Sequence, residues 1–135
     1  MIKRIIAVFV VSMVLSGCSL SLGKSEEVGT GGEFLKGKVV AGFPAVPAYP
    51  KSNALESYGF SNYWGVSSIS GDSLDKVVKF YSTSLKPAGW DYSVRQVSQT
   101  NIVFDIKNNT SGGSVIINTA ADGNKTAITV SIEPR

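Results

Sequence analysis

Cys18 is the only thiol in the sequence, and it follows directly on an apolar run over residues 5–15 and two small residues, Ser16 and Gly17. A thiol is the strongest nucleophile among the side chains present, and this one stands at the end of a hydrophobic leader. With no second cysteine it has no partner for an intrachain disulfide. Elsewhere the chemistry-bearing side chains are sparse. There is no histidine, which removes the usual general base near neutral pH and the commonest metal ligand. No Gly-x-Ser-x-Gly elbow and no complete phosphate-cradling glycine loop, with its lysine followed by Ser or Thr, is present. Asp72 and Asp75 are the nearest pair of carboxylates that could act as acid and base on a glycoside. The start of a helix explains them more simply, because negative charge is favoured in its first turn. No metal ligand set and no cofactor site is expected. The side chains that offer more than scaffolding are aromatic. Tyr49, Tyr63, Trp64 and Trp90, within a wider group that includes Tyr58, Phe60 and Tyr92, are candidates for contact with a peptide, a glycan or an acyl chain, since large rigid rings bind with little entropy loss.

The segments that position these residues begin with the leader. Lys3 and Arg4 precede an apolar core of about eleven residues, interrupted only by Ser12, against the roughly 20 that a membrane-spanning helix needs. Positive head, short core and small-residue exit have the layout of a secretory signal peptide. Leu15-Ser16-Gly17-Cys18 resembles the lipobox of bacterial lipoproteins. That resemblance implies cleavage between Gly17 and Cys18, a diacylglycerol thioether on Cys18, and acylation of the new amino group. Ser19 in the next position resembles an outer-membrane sorting signal. The implied address is the bacterial cell envelope, lipid-anchored, in the outer membrane and facing the periplasm if the host has two membranes. Two or three acyl chains at about 0.8 kcal/mol per buried methylene would make release very slow.

Removing residues 1–17 changes the charge argument. The whole chain carries thirteen Lys and Arg against ten Asp and Glu, a net +3. Without Lys3 and Arg4 the balance falls to eleven against ten. The remaining cations are scattered, whereas a nucleic-acid partner needs a clustered basic face, so no nucleic acid is expected. Residues 18–44, rich in Gly, Ser and charge, read as a tether that cannot bury enough apolar surface to order itself. The alternative for this stretch is that Phe34, Leu35, Val39 and Val40 dock on a partner or form an edge strand. Pro44, Pro47 and Pro50 then make a stiff extended lead-in.

Residues 45–135 form the expected globular domain. Leu74, Val77, Val78, Tyr81 and Leu85 make one apolar stripe at helical spacing over residues 72–86, with Asp72 as N-cap and Pro87 and Gly89 as the stop. Asp72 with Lys76 and Asp75 with Lys79 are spaced for i,i+4 pairs. Period-two alternation follows in Trp90, Tyr92 and Val94, in Ile102, Phe104 and Ile106, in Val115 and Ile117, and in Ile128, Val130 and Ile132. Turn residues separate these runs. Before the helix, Tyr58, Phe60, Trp64 and Val66 indicate either one long strand or a hairpin broken near Ser61-Asn62. The expected fold is α+β, one helix packed on a curled antiparallel sheet of five to six strands in the order β(β)αββββ.

Asp72-Ser73-Leu74, Val77, Phe80-Tyr81, Leu85 and Gly89-Trp90 resemble a D-S-L-x-x-V-x-x-F-Y-x-x-x-L-x-x-x-G-W pattern of small bacterial envelope lipoproteins, and Val46 to Pro50 fits the same group. The resemblance implies fold and location and brings no catalytic role. In architecture the domain also looks like the helix-grip domains of accessory lipoproteins in outer-membrane protein assembly. The expected function is a membrane-anchored, non-catalytic binding or interaction module with an envelope protein or glycan as partner. The alternative is an accessory lipoprotein of an envelope or outer-membrane assembly complex, and a hydrolase using paired carboxylates is the least favoured.

Overall fold

The computed structural model describes residues 32–135. Gly17, Cys18 and the expected cleavage and lipidation sites lie outside the described residues. The elements run β1 (Glu33–Lys36), β2 (Ser52–Phe60), β3 (Tyr63–Ser70), α1 (Leu74–Ser84), β4 (Asp91–Ser98), β5 (Asn101–Lys107), β6 (Ser111–Thr119) and β7 (Thr126–Pro134). All strands join one antiparallel sheet in the order β1-β2-β3-β7-β6-β5-β4. Two meanders thus meet along the β3 to β7 ladder, and α1 crosses one face to carry the chain from β3 to the far edge. The α+β class and the strand-helix-strand order agree with the sequence reading, but the sheet has seven strands rather than five to six.

The two strands beyond the minimum of five have different causes, and the first of them realises the hairpin alternative. Ser61 and Asn62 both adopt positive φ, 48° and 67°, the backbone of a two-residue turn that matches strand twist. This closes β2 and β3 into a hairpin instead of one long strand. β1 comes from the stretch expected to be tether. It pairs with β2 through Glu33↔Gly59, Phe34↔Tyr58 and Leu35↔Ser57. Behind it Val40 is 2% exposed, and its amide donates to the Ser57 hydroxyl (2.9 Å), which itself donates to the Lys38 carbonyl (2.6 Å). The folded unit therefore includes residues from Glu33 onward, and a tether reaching to residue 44 is corrected.

The helix begins one residue later than the sequence indicates. Ser73, not Asp72, is the N-cap and accepts the Lys76 amide. Asp72 is engaged on both sides instead: its carboxylate accepts the Tyr49 hydroxyl and its carbonyl accepts the Thr126 hydroxyl at 2.7 Å. The helix ends at Ser84, and Gly89 at φ 94° lets the chain turn back so that the Trp90 amide reaches the Leu85 carbonyl. Neither expected i,i+4 pair forms. The ion pair found among the described residues is Arg95 with Asp105; exposed lysines gain too little from one partner to give up side-chain freedom.

Val77, Tyr81 and Leu85 pack with Trp90, Phe104, Ile106, Val115, Ile117, Ile128, Val130 and Ile132 as one core. Residues 37–50 lie along the same inner face, where Phe43, Val46 and Tyr49 extend the core. β4 departs from the expected inward alternation. Tyr92 is half-buried but Val94 is exposed, because β4 is an edge strand. The other face of the sheet carries no helix or strap among the described residues.

Candidate functional site

The alternation of β2 and β3 around the Ser61-Asn62 turn sorts the aromatic residues onto two faces. Gly59 pairs with Trp64, and Phe60 with Tyr63, so Trp64 points inward while Tyr58, Phe60 and Tyr63 point outward. Through the Phe34↔Tyr58 pair, Phe34 joins them. Phe34, Tyr58, Phe60 and Tyr63 are all between 44% and 55% exposed. Two glycines allow this arrangement. A Cβ on Gly65 would overlap the Tyr58 ring on the outer face, and one on Gly59 would overlap the Trp64 ring on the inner face. Each ring therefore lies flat across its cross-strand glycine.

The sequence candidates divide accordingly. Tyr63 is exposed on the outer face. Trp64 is half-buried beneath the strap, with the Phe43 ring edge-on at 6.0 Å. Trp90 is 2% exposed and donates its indole N–H to the Ala45 carbonyl at 3.1 Å, so it is core and strap anchor, and its reading as a binding aromatic is corrected. Tyr49 is half-buried, edge-on to Phe80 at 5.3 Å. Its hydrogen bond to Asp72, aided by partial burial and the carboxylate's charge, holds the phenol above its ordinary pKa. It pins the strap to the start of α1. Beside it a groove of about 390 Å³ is flanked by Phe80, Lys51, Lys76 and Lys79.

A row of paired residues crosses the outer face from the aromatic cluster. Tyr58 pairs with Gly65, Gly65 with Ser131, Ser131 with Ser114, and Ser114 with Asp105. Small residues between a tyrosine and an aspartate leave a trough of about 380 Å³, to which Tyr63 and Glu133 also contribute. Four strand spacings make it about 19 Å long. At its far end Arg95 Nε donates to Asp105 Oδ2 at 2.5 Å, and this hydrogen bond holds the Asp105 carboxyl below its ordinary pKa. The hydroxyls of Tyr58, Tyr63, Ser114 and Ser131 and the Glu133 carboxylate make no hydrogen bond to the described residues.

Protein-family models, curated proteins and solved structures yield no match to this chain. Function must therefore be argued from the face itself. Asp72 and Asp75, the nearest pair of carboxylates within residues 45–135, do not share a cleft: Asp72 is bound to Tyr49 and Asp75 is exposed on the helix. Among the described residues no group of three or more His, Cys, Asp or Glu is placed to hold a metal ion. Tyr58 and Phe60, from the wider aromatic group, and Phe34, from the stretch with an edge-strand alternative, join Tyr63 on this face, a grouping that sequence reasoning did not single out. The parity of residues 58, 60 and 63 about the turn was the signal, and it required the hairpin to be chosen over the single strand.

Proposed function

We propose that this chain is a bacterial envelope lipoprotein, held to a membrane by acyl chains on Cys18, whose globular domain is a non-catalytic binding module. The observation that carries the binding half is the display of Phe34, Tyr58, Phe60 and Tyr63 on one uncovered sheet face. Contiguous exposed aromatic surface marks interaction sites, and these rings are held by cross-strand packing. Arg95 holds the Asp105 carboxyl low, which suits Asp105 poorly to the role of a catalytic acid, since that role needs a raised pKa. The partner is a protein or glycan of the envelope.

The two halves are tested separately. Radiolabelled palmitate should enter the wild type and not Cys18→Ala; equal labelling of both refutes the anchor. A photocrosslinker at position 63 in living cells should give discrete adducts that are absent when it is placed at Lys79 on the helix. Identical patterns at both positions would remove the outer face as the binding surface. The open edges β1 and β4 support the second reading, an accessory lipoprotein of an envelope assembly complex, since unpaired strand edges accept a further strand. Affinity capture from solubilised membranes with a defined multi-subunit partner distinguishes it.

A further inference from the structure

We infer that the trough across the outer face is a carbohydrate-binding site, and that its ligand is an oligosaccharide without acidic groups. This rests on the binding-module reading and assigns the chemistry of the ligand. The trough combines two features that a sugar chain requires together. Its near end offers the rings of Tyr58 and Tyr63, whose faces suit the flat C–H surface of a pyranose. Its floor offers the Ser131 and Ser114 hydroxyls, which line the trough side by side and have no hydrogen-bond partner among the described residues.

Charge narrows the class. The trough is lined by Asp105 and Glu133 and by no lysine or arginine. A phosphorylated or uronic-acid polymer would set its anions against Glu133, and the cations nearby are Arg95, already held by Asp105, and Lys107, which stands across Gly112 from Glu133 and outside the lining. The polar floor offers an acyl chain no apolar burial. A peptide in extended form gains its main-chain hydrogen bonds at a sheet edge, whereas this trough runs across the strands, where the backbone groups are already paired. A glycan uses side-chain hydroxyls and ring faces and needs no free backbone.

The test uses the full chain purified in detergent and applied to an array of soluble neutral, amino-sugar and acidic oligosaccharides. Binding to neutral or amino-sugar chains is expected, with none to acidic ones. Tyr63→Ala, which removes a ring at the hairpin end, and Ser114→Val, which replaces a floor hydroxyl with a methyl, should each weaken it about tenfold or more. Thermal melting of both variants checks that the fold is kept. A silent array, binding confined to acidic chains, or binding unchanged in two folded variants overturns the assignment. If the array is silent while a crosslinker at position 63 still captures an envelope protein, the carbohydrate assignment falls and the binding-module reading stands. If both are silent, both fall.

Discussion

At the scale of single residues, the side chains that read as binding groups turn out to do two different jobs. Trp90 and Tyr49 are polar-tipped rings whose tips are spent inside the protein, on the Ala45 carbonyl and the Asp72 carboxylate. Tyr58 and Tyr63 keep theirs unspent. The Tyr49 bond has a consequence for pH. Its phenol is raised above the ordinary 10.0, so the neutral, donating form is the one the fold favours. The stabilisation is present in full below pH 10 and is lost as pH rises through the folded value above it. Tyr49→Phe should therefore melt lower than wild type by a constant margin below pH 10, and the margin should close above it. Thermal unfolding of both proteins across that range checks this, and the absence of any margin below pH 10 would mean that ring packing against Phe80, which phenylalanine keeps, and not the hydrogen bond, is what Tyr49 contributes. Asp105 works in the opposite sense. Its carboxyl is lowered by Arg95, so that pair weakens only as pH falls through a value below 3.8, and both partners are too exposed for it to matter much.

At the scale of elements, β1 shows how a short strand is kept in place. It has four residues, most of them exposed, and its return segment is fixed by one hydroxyl, Ser57, which is 1% exposed and bridges the Val40 amide and the Lys38 carbonyl. Ser57→Ala leaves both backbone groups without that partner and should cost about 2 kcal/mol, measured by chemical denaturation; a change near zero would mean that β1 is held by its ladder alone. The same element shows the limit of sequence reading. The helix and strands β5 to β7 were legible because each buries one face against a thick core, so their apolar residues repeat at 3.6 or at 2. β1 has no such face, and its glycines and charges read as tether. The hairpin was legible only as an alternative, because Ser61-Asn62 is a weaker positive-φ signal than Asn-Gly. Trp90 was misplaced for a tertiary reason: its acceptor, Ala45, lies 45 residues away in sequence. The outer-face trough depends on the register of five strands, which no local pattern fixes.

At the scale of the whole molecule, the core is divided unevenly between the two meanders. Every fully buried apolar side chain of the central cluster belongs to α1, its exit segment, or strands β5 to β7. β3 contributes Trp64 and Val66 at the margin, while β2 contributes the small residues Ser57 and Gly59, and β1 lies at the edge. Local opening costs roughly what the opened segment buries, so β1 and β2 should open together, by release from β3, while the helix and the β7-β6-β5 strands stay folded. Native-state hydrogen exchange should show β1 and β2 amides exchanging tenfold or more faster than those of β6 and β7, with the latter exchanging only through global unfolding. Equal protection across the sheet would instead make it one cooperative unit. The division bears on the binding face, because Phe34, Tyr58 and Phe60 sit on the strands that open first, whereas Ser114, Ser131, Asp105 and Glu133 sit on the rigid part. A ligand lying across the trough would bridge the two and suppress the opening. Saturation with a bound oligosaccharide should therefore slow β1 and β2 exchange selectively and leave β6 and β7 unchanged, a pattern that binding to the helix side would not produce.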